Sequence, residues 1–306
     1  MAGIFALILA NIIWGAAPPV FKYALQDIPP FTLAFIRFFF AAFLFLPFII
    51  KYFHTIKSKH WIHIILGAIW GVSVNVSFFF VGLEYAPSIN VHVFSTLVPI
   101  VLYVLSLIIL KEQPHPQIMK GIGISLLGVS LIVFAPVLRA GITNVGGYSL
   151  QSQFVGNAFF FLSMLGGVLT AIHYKKLGKG PNVLAVTGLQ FFIGSIPFIP
   201  FMLSELHTWS PDHLHTQAYV GIIYGIFFSS ALGYFLHNFA LTKMYAQQIG
   251  IYAYIMPVVA VIVAIPLLGE YPDIYFIIGA LLVFAGMWVS ERHPHYQKLH
   301  KKLHSK

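Results

Sequence analysis

The chain has 306 residues, of which 59% are hydrophobic and only 8% are Asp, Glu, Lys or Arg. A soluble domain carries about 25% charged residues, so no water-facing surface can be built here and a soluble enzyme is excluded. Cysteine is absent, which removes disulfide and thiolate chemistry, and the excess of 17 Lys and Arg over 8 Asp and Glu reads against a bilayer, not a nucleic acid.

A helix needs about 20 mostly apolar residues to cross the hydrocarbon core. Runs of that kind fall at 3–24, 31–50, 61–83, 89–110, 117–136, 154–174, 182–203, 217–240, 248–268 and 273–291. None alternates as a barrel strand would, and unpaired backbone in lipid is too expensive for any other crossing element. The expected fold is an all-α integral membrane protein with ten transmembrane helices. The first run is longer than a leader's apolar core and has no basic segment before it, so it reads as a span that stays in the membrane. The longest breaks are an external loop at 137–153, the segment 204–216 and a basic tail at 292–306, too short for an extramembrane domain. With the N-terminus inside, the inner loops collect Lys51, Lys57, Lys59, Lys111, Lys120, Lys175, Lys176, Lys179, Lys243 and the cations of the tail. Both termini are therefore expected in the cytoplasm, with the chain multi-pass in the inner or plasma membrane.

Polar groups at membrane depth are expensive and tend to face a cavity or a partner helix. Span 1 carries Asn11, Trp14, Pro18 and Lys22 on one stripe. Span 2 carries Arg37, roughly 9 Å below its outer end at about 1.5 Å per residue. That side chain has three options: to snorkel outward, to pin the bundle by bonding helix-end carbonyls, or to hold a substrate carboxylate. Span 3 offers Asn75 and Phe79 beside the small-residue seam Gly67-x-x-x-Gly71. On span 4, Ser88, His92, Ser95 or Thr96, Pro99 and Tyr103 recur every three to four residues, with Pro99 expected to kink the helix and free a carbonyl. Span 7 places Gln190 where Arg37 stands in span 2, and span 8 carries Gly221, Gly225, Ser229, Gly233 and His237 with Asn238 beside it. Span 9 repeats the proline as Pro257, with Tyr252 and Tyr254 before it. The expected cavity lining is thus Asn11, Trp14, Arg37, Asn75, Phe79, His92, Ser95, Thr96, Gln190, His237, Asn238, Tyr252 and Tyr254, with Pro99 and Pro257 as hinges.

The two halves match each other. At an offset of 158, Pro99, Glu112, Pro114, Gly121 and Gly128 meet Pro257, Glu270, Pro272, Gly279 and Gly286. At 154, Gly67 and Gly71 meet Gly221 and Gly225. The predicted units are residues 1–136 and 154–291, each of five helices. Five is odd, so the second unit enters the membrane in the opposite sense, the arrangement of inverted-repeat transporters.

Asn11-x-x-Trp14-Gly15, Arg37-Phe38, and Pro99 leading to Leu110-Lys111-Glu112 before a glycine-rich span are followed by Pro257 leading to Leu267-Leu268-Gly269-Glu270. In that order they make the chain similar to the EamA-type members of the drug/metabolite transporter superfamily over nearly its whole length. The resemblance implies a secondary carrier of the cytoplasmic membrane, commonly an exporter of amino acids or similar small metabolites. The second half departs from the first, with Gly167 in the place of Trp14 and Gln190 in that of Arg37.

No G-x-x-x-x-G-K-[ST] phosphate loop occurs, so movement is facilitated, exchanged or ion-coupled. No Asp or Glu sits mid-span, which leaves His92 and His237 as the proton carriers of an alternative, coupled antiporter. Facilitated efflux is the simpler reading; a channel would need an oligomeric pore or a charged ring. The loop and tail histidines lack a carboxylate cluster for metal. The expected partners are a small-molecule substrate and the lipid bilayer, with no cofactor, metal, nucleic acid or obligate protein partner.

Overall fold

The computed structural model describes residues 2–86, 89–95, 97–140, 150–178, 180–268 and 274–291. Among them every regular element is helical. The first half holds α1 (Ala2–Ala24), α2 (Pro30–Tyr52), α3 (Ser58–Ala68), α4 (Asn75–Tyr85), α5 (Ile89–Ser95), α6 (Val98–Ile109) and α7 (Pro116–Ala140). The second holds α8 (Leu150–Lys176), α9 (Val183–Ser195), α10 (Ile199–Glu205), α11 (Thr216–Ile223), α12 (Gly233–Lys243), α13 (Ala246–Ile251), α14 (Ile255–Leu268) and α15 (Ile274–Glu291). Several join end to end: α3 runs into α4 through a π-helical turn at Ile69–Val74, and α11 into α12 through one at Tyr224–Leu232.

Six stretches are long and apolar enough to cross a membrane: Ala2–Ala24, Pro30–Thr55, Ser58–Tyr85, Phe154–Lys176, Val183–Glu205 and Thr216–Lys243. The other four expected spans coincide with helices that are interrupted, shorter, or only partly described. Phe5, Ile50, Ile108 and Leu281 are among the large apolar side chains left exposed, a surface that belongs in lipid and not in water. The protein is a multi-pass membrane protein.

The expected kink at Pro99 is a break. Helix α5 ends at Ser95 and α6 starts afresh at Val98, with Pro99 in its first turn. Pro257 sits in the same way near the start of α14, after a 3-10 turn at Tyr252–Tyr254. The physical reason is shared: proline has no N–H, and the first turn of a helix is where that donor has no intrahelical acceptor.

Helix pairing crosses between the halves. Helix α7 packs along α15, α2 along α9, α4 along α8, α1 along α12 and α14, and α6 along α13. The α7–α15 seam is close enough to require glycine. A methyl group on Gly121 would lie 2.5 Å from the carbonyl oxygen of Gly286, and one on Gly286 would lie 2.5 Å from that of Gly121. One on Gly128 would collide with the carbonyl of Gly279. In lipid, hydrophobicity does not drive helices together, so such close backbone approach is what supplies van der Waals attraction.

The helix ends are tied across the same divide. Glu205, at the end of α10, accepts from the N–H groups of Phe31 (3.0 Å) and Thr32 (2.7 Å) and from the Thr32 hydroxyl (2.7 Å). A carboxylate there satisfies the free donors of α2's first turn. Glu112 does the same for α13, accepting from the N–H groups of Ala246 (3.0 Å) and Gln247 (3.3 Å). Asn182 caps α9 by accepting from the N–H groups of Leu184 and Ala185.

Candidate functional site

A cavity of about 240 Å³ lies between the halves, bordered by residues of α1, α2, α4, α5, α6, α8, α12, α13 and α14, of both π-helical turns and of the 3-10 turn at Tyr252–Tyr254. Its walls are mostly apolar, with Phe21, Phe79, Phe94 and Phe160 among them. Of the residues expected from sequence, Asn11, Trp14, Arg37, Asn75, Phe79, Ser95, His237 and Asn238 border it.

Arg37 is the cation of the site. Its side chain does not snorkel: it is 4% exposed and turned into the bundle from α2. Nε donates to Ser230 Oγ and Nη2 to Ser229 Oγ, each at 3.0 Å. The guanidinium carbon lies 4.5 Å from the ring centres of both Phe21 and Phe38. Two hydroxyls and two ring faces orient the fork without neutralising it, because neither serine nor a π face carries a formal charge. No ion pair to Arg37 occurs among the described residues.

The serines that hold Arg37 come from the π-helical turn Tyr224–Leu232. A π turn bonds each N–H five residues back instead of four, which rotates side chains out of register and loosens carbonyls from the ladder. The Ser229 carbonyl accepts from Trp14 Nε1 at 3.0 Å. The Trp14 ring in turn packs 5.2 Å from Tyr234 and 5.1 Å from His237. The other π turn is used likewise: the Gly71 carbonyl accepts from the Tyr234 hydroxyl at 2.9 Å. Asn75 follows that turn and donates through Nδ2 to the Ser163 carbonyl (2.7 Å) and hydroxyl (3.2 Å). Asn238 donates to Thr187 Oγ1 at 2.9 Å, and Asn11 to the Leu7 carbonyl of its own helix at 2.7 Å. Ser95 likewise donates back to Val91 at 3.0 Å.

The structure does not bring every expected residue to the cavity. Gln190 is buried at 3% exposure and is not among the lining residues, and its Nε2 has no hydrogen-bond partner among the described residues. Tyr252 and Tyr254 are buried in their 3-10 turn, and Ala253 between them is the residue that borders the cavity. Pro99 and Pro257 are not among the lining residues, although their chain neighbours Val98 and Met256 are. Thr96 and the side chain of His92 lie outside the described residues. Sequence reasoning missed Ser163, Thr170, Ser230 and Tyr234 as site residues, and named Ser229 only as a member of the span 8 series, without a role. Their signal was present: Ser229 stands four residues beyond Gly225 on the stripe that ends at His237.

Among the described residues no cluster of three or more His, Cys, Asp or Glu could hold a metal ion. The geometry is that of a small chamber that can bind, and among the described residues its lining carries no reacting constellation.

Comparison with known proteins decides the family. Residues 1–134 and 154–291 each match the EamA-like transporter family. The chain belongs to that family. The EamA-like chain is 26% identical over 295 residues to a protein of Archaeoglobus fulgidus named "Uncharacterized transporter", covering 94% of this chain and 97% of the relative. It is 25% identical over 307 residues to the "Probable amino-acid metabolite efflux pump" of Salmonella typhimurium, covering 94% of this chain and 93% of the relative. A crystal structure of a protein with 13% sequence identity superposes at a TM-score of 0.72, covering 95% of this chain and 98% of the other, a likeness of fold. The protein is thus a membrane transporter for a small molecule and not an enzyme.

Proposed function

We propose that this transporter moves amino acids or similar small metabolites out of the cell by alternating access, through the cavity between two inverted five-helix repeats, 1–136 and 154–291. The observation that carries the reading is the cavity itself: both halves contribute its walls, and the contacts that close it run between the halves. A site held at such an interface changes its exposure when one half rocks against the other.

The inverted arrangement is supported by its contact pattern. If each helix of one unit corresponds to a helix of the other, the pairing α1–α12 is the image of α8–α4, while α2–α9 and α7–α15 are their own images. The glycines obey the same rule. Gly121 corresponds to Gly279 and Gly128 to Gly286, yet Gly121 touches Gly286 and Gly128 touches Gly279, as an antiparallel two-fold pairing requires. The two π turns and the two proline-started helices also fall at corresponding places. Ten spans place both termini on one side, and the lysine-rich loops favour the cytoplasm. The substrate class and direction follow the named efflux relatives.

The driving force in this reading is the metabolite's own gradient. A proton-coupled antiporter is the second reading, favoured by one observation: His237 borders the cavity and packs on Trp14. The test is reconstitution in liposomes with a panel of radiolabelled amino acids. Saturable, mutually competing efflux is expected. Flux that stays linear with concentration would sink the carrier reading, and flux that requires an imposed pH gradient would replace facilitated efflux by the second reading.

A further inference from the structure

The cavity has an unbalanced charge inventory. Arg37 borders it, and none of its described lining residues is Asp or Glu. Asn75 spends its amide donors on Ser163, Asn11 and Asn238 each donate once to the protein, and the Trp14 N–H is engaged with Ser229, so the lining holds neutral donors and one cation. Arg37 uses Nε and Nη2 on the two serines, while Nη1 has no hydrogen-bond partner among the described residues. A guanidinium in a low-dielectric site, oriented but uncompensated, attracts an anion far more strongly than it would in water. Its planar fork suits a carboxylate in particular.

We propose that Arg37 is the specificity-determining anchor of this transporter and that it holds the carboxylate of a small organic acid whose apolar body lies against Phe79, Phe94 and Phe160. The inference rests on the transporter reading and deepens it by naming the substrate class. The cavity is smaller than the ~300–1,000 Å³ usual for ligand pockets, which suits a compact acid. The anchor is one-sided, because the corresponding Gln190 is neutral and is not among the lining residues. It is also shared, because Arg37 comes from the first half and the serines that aim it come from the second. Binding a carboxylate there engages the contact between the halves that alternating access must rearrange.

The test uses the purified full-length protein and a matched pair of probes, 3-phenylpropionate and its neutral amide, 3-phenylpropanamide. Thermal-shift titration is expected to show stabilisation by the acid and at least about tenfold weaker binding of the amide, the scale of one charge-assisted contact. Arg37→Gln is expected to erase the difference, and Arg37→Lys, which keeps the charge without the fork, to retain part of it. Equal binding of acid and amide by the wild type, no binding of the acid, or an unchanged preference in a folded Arg37→Gln protein would each overturn the proposal. The wild-type comparison stands even where the Gln variant does not fold. Parallel flux in liposomes separates the two readings. Acid binding without flux leaves the anchor standing and removes transport, whereas saturable flux of both probes at equal rates leaves transport and removes the anchor.

Discussion

Substituting Gly286 by Ala asks whether the α7–α15 seam is as tight as its geometry indicates. The added methyl would lie 2.5 Å from the Gly121 carbonyl oxygen and 2.7 Å from the Ser125 backbone nitrogen, and would also overlap the Ser125 hydroxyl. Ordinary contact begins at 3.4 Å, so the shortfall is close to 1 Å. Two of the three obstructing atoms are backbone in the middle of a helix, and no rotamer change can move them. The helices must separate instead, which weakens contact at Gly121, Ser125 and Gly128 together. Overpacking of this kind costs about 1–3 kcal/mol, and the upper end is expected because Ser125 also donates to the Val283 carbonyl across the seam at 3.1 Å. Gly123 supplies the control: a methyl there meets nothing within 4 Å, so Gly123→Ala is expected to be neutral or to stabilise by up to about 1 kcal/mol through helix propensity. Apparent melting temperature of detergent-purified protein, followed by circular dichroism, measures both. A Gly286→Ala protein that melts with the wild type, or a Gly123→Ala protein that loses as much as Gly286→Ala, would refute the packing argument.

Other predictions address the site and its surroundings. Asn75→Ala removes the side-chain donor to the Ser163 carbonyl and hydroxyl, a loss of about 0.5–1.5 kcal/mol for each bond; efflux in liposomes should fall about tenfold while expression stays normal. Pro99→Ala and Pro257→Ala restore an N–H to the starts of α6 and α14 and should slow the exchange between inward- and outward-facing forms; cysteine-accessibility labelling that matches the wild type on both sides would count against this. Asp27, between α1 and α2, accepts from His215 Nδ1 at 2.9 Å and from its N–H at 2.6 Å, and the side-chain bond is the main cause holding its carboxyl below the ordinary value of 3.8. A folded-state pKa below the unfolded one stabilises above the unfolded value and is lost as pH falls through the folded one. Asp27→Asn should therefore lower the melting temperature at pH 6 but not below the depressed pKa; an equal deficit at every pH would mean that the charge is irrelevant.

Membrane residence and helical class were legible in the sequence because they depend on quantities that add along the chain. Fifty-nine per cent apolar residues in runs of helical span length leave no alternative once backbone groups must be satisfied inside lipid. The pairing of residue types between the halves was legible too, since Pro99 with Pro257 and Gly121 with Gly279 need only a constant offset. Most of the expected residues that border the cavity were legible because polarity at membrane depth is itself a signal, as at Asn11, Asn75, His237 and Asn238. Repeat arithmetic pairs Gln190 with Arg37, but Gln190 is not among the residues that line the cavity. Tyr252 and Tyr254 do not line it for a local reason, since Ala253 is the residue of their 3-10 turn that does.

Composition and spacing thus determined that this chain is a bundle of apolar helices in a bilayer, with a second half patterned on the first. Only the tertiary structure decided which faces converge, that Arg37 turns inward between Phe21 and Phe38, and that two serines of a π turn from the opposite half aim it. The reason is that lipid is as apolar as leucine. Hydrophobicity can say that a helix is in the membrane but not which side of it meets protein, and that choice is made by close packing and hydrogen bonds between residues far apart in the chain.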